Sequence, residues 1–136
     1  MPPAAASPAA ADTVRDTFAA SQAGQLPFGQ VVGALAAAGV TAYQVDHRAG
    51  RITCWQADDS AQTLALEGST PALGAGFDAE AVRAAIRAAQ QGTLAYPDFK
   101  RRTQAAGCVG YTVWIAGRHV VYHGRLGETH VEPFPR

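Results

Sequence analysis

The sequence predicts an α+β domain made by internal duplication of an α-α-β-β-β unit, an antiparallel sheet with the helices packed on one face. Three observations point there. The phrase AAGVTAYQV at residues 37–45 returns at 105–113 as AAGCVGYTV. The match extends without a gap from Asp12/Glu80 to Val45/Val113, and eleven of those 34 positions are identical at an offset of 68. In both copies a helical spacing of apolar residues gives way, after a glycine, to an alternating one, as a helix-to-strand transition requires.

The elements follow in chain order. Residues 1–11, MPPAAASPAAA, are proline-broken and read as a disordered tail rather than a signal peptide, because no positive segment precedes an apolar run. Asp12 and Asp78 are N-cap candidates, and Val14 with Phe18, or Val82 with Ile86, fall four apart on one face. Gly24 and Gly92 supply the left-handed residue that ends these helices. The second helix of each unit carries Val31, Val32, Leu35 and Ala38, or Phe99, Thr103 and Ala106, with Pro97 suited to a first turn. Gly39 and Gly107 then release the chain into strand. Past Val45 and Val113 the best match shifts to an offset of 67, aligning Gly50-Arg51 with Gly117-Arg118 and Trp55 with Tyr122. Turns through Arg48-Ala49-Gly50 and Ala116-Gly117 place Tyr43 opposite Trp55 and Tyr111 opposite Tyr122, aromatic pairs read as core, with a stacking pocket for a planar ligand as the alternative. Leu64 and Val131 belong to third strands. The domain therefore spans 12–136 as repeats 12–66 and 80–136 joined by a linker, 67–79. Neither half can cover its own sheet face, so the two are expected to share one core.

The stretch RHVVYHGRLGETHVEPF carries the candidate site. With Gly124 to Gly127 as the turn, His123 faces Glu128, Val121 faces His130 and His119 faces Glu132, and Trp114 lies opposite His119. Trp114, His119, His123, Glu128, His130 and Glu132 thus gather on the outer sheet face as a candidate ligand-binding set. His123, Glu128 and His130 offer the nitrogen and oxygen donors that zinc accepts. The aligned first-copy residues Ala61, Thr63 and Ala65 are plain, so folding does not require the charged set. The competing reading is a solvated face with cross-strand charge pairs.

Composition narrows the classes. Eleven basic and eleven acidic residues leave no net charge, which removes a global attraction to nucleic acid or anionic membrane. Lys100-Arg101-Arg102 reads as a solvated helix face. No apolar run reaches the roughly 18 residues of a membrane span. Cys54 and Cys108 have no metal-finger or CxxC spacing, Cys108 aligns with Val40 as a small buried hydrophobe, and the cytoplasm is the expected compartment. Neither GxGxxG, a P-loop, HExxH nor GxSxG occurs, so no cofactor and no catalytic residue is assigned.

The segments GALAAAGVTAYQVD, YPDFKRRTQAAGCVGYTVWIAGRHVVYHG and GETHVEPFP resemble the YbcV-like proteins, small bacterial and prophage-encoded proteins with a domain of unknown function, over about residues 12–135. The resemblance implies no activity and transfers no catalytic residue; some members carry a phage-envelope label. The expected role is a non-enzymatic domain binding a small molecule or a protein. The alternatives are a metal-dependent or histidine-based hydrolase on the His/Glu face, and a prophage-associated structural or regulatory protein that self-associates as a homo-oligomer.

Overall fold

The computed structural model describes residues 8–66 and 73–135. The chain runs α1 (Pro8–Gln22), α2 (Phe28–Ala37), β1 (Val40–Asp46), β2 (Arg51–Gln56), β3 (Ala61–Ala65), α3 (Ala79–Gln90), α4 (Tyr96–Ala105), β4 (Gly110–Trp114), β5 (His119–His123) and β6 (Thr129–Pro133). The α+β class holds, with four helices and one six-stranded antiparallel sheet in the order β3-β2-β1-β4-β5-β6. The helix α1 starts at Pro8, inside the stretch read as tail and ahead of the expected Asp12 cap. Asp12 instead pairs with Arg15, one turn on, at 2.8 Å. Residues 1–7 and 67–72, parts of the expected tail and linker, lie outside the described residues.

Helix faces follow the apolar spacing. Val14 and Phe18 on α1, Val31 and Leu35 on α2, Val82 and Ile86 on α3, and Phe99 on α4 are buried in one core cluster. Asp78 caps α3 by accepting from the Ala81 amide at 3.1 Å, and Pro97 occupies the first turn of α4. The sheet presents its apolar face to these helices. Directly opposed residues share a face, and the cross-strand pairs Tyr43–Cys54, Val45–Ile52, Tyr43–Val113, Val45–Tyr111, Tyr111–Tyr122 and Val113–Val120 all belong to the same cluster. Cys54 and Cys108 are free and buried.

Backbone conformation corrects the strand alignment read from sequence. Eight described residues have positive φ, and they form four pairs 68 residues apart: Gly24/Gly92, Gly39/Gly107, Gly50/Arg118 and Asp59/Gly127. The counterpart of Gly50 is therefore Arg118, held at φ 60, and not Gly117. The offset does not fall to 67, because chemical likeness between Trp55 and Tyr122 is not positional equivalence. The first hairpin turns through four residues, His47 to Gly50, between Asp46 and Arg51. This places Tyr43 opposite Cys54 and sends Trp55 to the other face, since a one-residue slip reverses every side chain. Tyr111 does face Tyr122.

One glycine shows how closely the segments approach. Gly107 ends α4 at φ 83, and a Cβ there would lie 2.1 Å from the Gly76 carbonyl oxygen. Gly107→Ala should lower the unfolding free energy by about 3 kcal/mol through left-handed strain plus this overlap. Gly33, inside α2 with nothing within 4 Å of a built Cβ, should gain about 0.5–1 kcal/mol as Gly33→Ala. Urea denaturation of both variants measures the contrast.

Candidate functional site

The six residues singled out in the C-terminal stretch do not share a face. Gly124 N–H donates to the Glu128 carbonyl at 2.8 Å and Gly127 N–H to the Gly124 carbonyl at 3.2 Å, so the loop is Arg125-Leu126-Gly127 with Gly127 left-handed. Three-residue hairpin loops of this kind place glycine at that position. The ladder then pairs Tyr122 with His130, Val120 with Glu132 and His123 with Thr129. His130 and Glu132 thereby sit on the helix-covered side, while Trp114, His119 and His123 stay on the open side.

Each of the six has a local role. Trp114 and His119 stack at 6.4 Å between ring centroids, and Trp114 is 44% exposed. Glu128 accepts from the Leu126 amide at 2.8 Å and braces the turn. His130 Nε2 lies 3.2 Å from Glu132 Oε1, and its ring stacks on Tyr122. Burial holds His123 below its ordinary pKa. Among the described residues no group of three or more His, Cys, Asp or Glu is placed to hold a metal ion, so the expected His123, Glu128 and His130 centre does not assemble. The plain first-half counterparts also change with the offset: Gln62 and Leu64, not Thr63 and Ala65, stand 68 positions before His130 and Glu132.

A different site forms under the helices. A cavity of about 640 Å³ opens between the helices and the sheet. Phe18 of α1, Val31 and Val32 of α2, Ile86 and Ala89 of α3, and Phe99 of α4 line it, with Val45, Ile52 and Val120 below. All four tyrosines of the chain, Tyr43, Tyr96, Tyr111 and Tyr122, line the same space. Phe28, Arg118 and Phe134 stand at its exposed rim: the two phenylalanine rings meet edge-on at 5.7 Å, and the Arg118 guanidinium lies 5.5 Å over Phe134. Glu132 also borders the cavity, its carboxylate turned to His130.

The phenols are neutral donors in an apolar wall. Tyr96 and Tyr111 hydroxyls bond to one another at 2.8 Å. Burial pushes the Tyr96 hydroxyl up to about 12. It also raises Tyr43, Tyr111 and Tyr122, with the neighbouring phenols adding to the effect. All four are therefore protonated at neutral pH. The same burial raises Cys54 to about 12 and Cys108 upward, so neither thiol is poised as a nucleophile. The sequence marks Tyr43, Tyr111 and Tyr122 as aromatic partners but gives Tyr96 no role of its own. The 68-residue recurrence of Tyr43 as Tyr111 was the available signal.

Beyond the cavity, His47 is 2% exposed, and among the described residues neither ring nitrogen has a hydrogen-bond partner. It packs edge-on against Tyr111 at 6.0 Å. A scan against protein-family models finds no matching family, and a search of curated proteins finds no match.

Burial, helped by the charge of Lys100 and opposed by Asp46, lowers the pKa of His47 from 6.5 to about 4. Between those values the unfolded chain binds a proton that the folded chain does not, so stability rises with pH across the window and is lost as pH falls through it. Unfolding free energy should drop by about 2–3 kcal/mol from this residue between pH 7 and pH 4.5. His47→Leu should flatten that part of the profile in urea titrations at the two pH values.

Proposed function

We propose that this chain is a non-enzymatic domain that binds a small, largely apolar molecule in the cavity beneath its helices. The observation that carries the reading is the gathering of all four tyrosines on one cavity of about 640 Å³, within the 300–1,000 Å³ range of small-molecule sites. Apolar walls with a few convergent polar groups are the composition such sites have. A wall made only for packing would close on itself, because a void forfeits dispersion contacts and destabilises the fold.

The reading extends to origin. The pairing of positive-φ residues 68 apart, and of β3 with β6 at the same spacing, supports descent of the two halves from one duplicated α-α-β-β-β unit. Kinship with the YbcV-like proteins rests on the three segments quoted above, and a cytoplasmic setting accords with two buried free thiols. A second reading concerns the open sheet face. There Trp55, Ala42, Trp114 and His119 form one cross-strand row, a surface suited to a protein partner or a second copy. Under that reading Trp114→Lys would abolish concentration-dependent sedimentation.

N-phenyl-1-naphthylamine, a neutral fluorescent probe, tests the cavity. It should bind the wild type saturably at one site. Ala89→Trp, which fills the space from α3, should weaken binding at least about tenfold, an increment near 1.4 kcal/mol. Trp114→Ala on the far face should leave it unchanged. Equal binding by all three proteins would remove the cavity from consideration.

A further inference from the structure

The four phenol groups of the cavity are not equivalent in their bonding. One hydrogen is used between Tyr96 and Tyr111. Tyr43 and Tyr122 are only 3% and 5% exposed, yet their hydroxyls are not among the enclosed side-chain atoms left without a partner; among the described residues they have no protein acceptor and open onto the cavity they line. Four O–H groups with one internal bond leave three hydrogens without an acceptor. The four side chains also lie near one another: the Tyr111 and Tyr122 ring centroids are 5.4 Å apart, Tyr96 and Tyr111 share their hydrogen bond, and Tyr43 enters the same core from the strand beside Tyr111. Donors set on the wall of a largely apolar cavity are the groups that orient an occupant.

The rest of the wall says what that is. Phe18, Phe99 and the tyrosine rings offer flat apolar contact, with Phe99 edge-on to both Tyr111 and Tyr122 at 6.5 and 6.2 Å. Arg118, the one arginine on the wall among the described residues, is exposed at the rim. An anion inside would be stripped of water with no cation facing it, and Glu132 would oppose it. A neutral acceptor oxygen meets neither obstacle.

We propose that the cavity takes a ligand with a flat apolar body and a neutral carbonyl oxygen, which receives hydrogen bonds from Tyr43, Tyr122 and the free hydrogen of the Tyr96–Tyr111 pair. This rests on the reading of the cavity as a small-molecule site and adds the chemistry of its occupant. The phenols act here as binding donors, and no covalent step is involved.

Three probes of one shape separate the possibilities: 2-acetonaphthone, 2-ethylnaphthalene and 2-naphthoate, with binding followed by calorimetry at pH 7. The ketone should bind about tenfold more tightly than the hydrocarbon, the size of gain a few neutral hydrogen bonds provide, and more tightly than the carboxylate. Tyr43→Phe and Tyr122→Phe keep the rings and remove only the hydroxyls. Each should reduce the preference for ketone over hydrocarbon while leaving hydrocarbon affinity in place. Without ligand, both variants should melt at the wild-type temperature, because no internal hydrogen bond is lost; melting several degrees lower would mean an internal partner exists and would overturn the proposal. Equal affinity for ketone and hydrocarbon, or tighter binding of the carboxylate, would overturn the carbonyl assignment alone. If none of the three binds, the ligand-site reading fails and this proposal with it.

Discussion

The antiparallel pairing of β1 with β4 is the contact on which the remaining architecture depends, because it joins two three-stranded segments into one sheet. Its register sets Tyr43 opposite Val113 and Val45 opposite Tyr111. The two tyrosines consequently enter one core from neighbouring strands rather than two separate ones. Backbone approach at the seam leaves no room at Gly110, where a Cβ would lie 2.5 Å from the Val45 carbonyl oxygen. With each three-stranded segment preceded by its own helical pair, the seam also brings those pairs over a common apolar face.

The cavity follows from this arrangement and from unequal filling of positions 68 residues apart. Val31 of α2 and Phe99 of α4 stand 68 apart, as do Cys54 and Tyr122, and Leu64 and Glu132. At these three pairs the second half supplies the larger or more polar side chain and the first half the smaller apolar one. Low polarity around the phenols keeps them protonated, and it strengthens any hydrogen bond they give to an occupant. His47, against the outer side of Tyr111, is kept neutral by the same desolvation. Packing and protonation state are therefore one property in this core.

Much of the fold was legible because it is local. Spacing of Val14 with Phe18 and of Val82 with Ile86 marks the buried helix faces, Asp78 caps its helix by accepting from the Ala81 amide three residues on, and Gly39 and Gly107 end helices by their own backbone freedom. The site was legible only in fragments. The error lay in two loop lengths, four residues at His47–Gly50 and three at Arg125–Gly127, each one residue from the length assumed. Arg118 in a left-handed turn hid the first correspondence, since glycine is the residue expected there and Gly117 stands beside it. Each slip carried a whole strand to the wrong face, which is why His130 and Glu132 were assigned to solvent and Trp55 to the core.

Sequence alone determined the class of the protein, the order of its helices and strands, the Asp78 cap and the glycines that end helices, all of which depend on neighbours within a few positions along the chain, together with the recurrence at 68 residues. Tertiary structure decided the strand order, the side of the sheet on which each C-terminal histidine lies, and the meeting of four tyrosines separated by up to 79 residues around one cavity. The reason is physical: a side chain's face is set by the parity of a distant hydrogen-bond register. A cavity belongs to no segment at all, being the space that six strands and four helices fail to fill together.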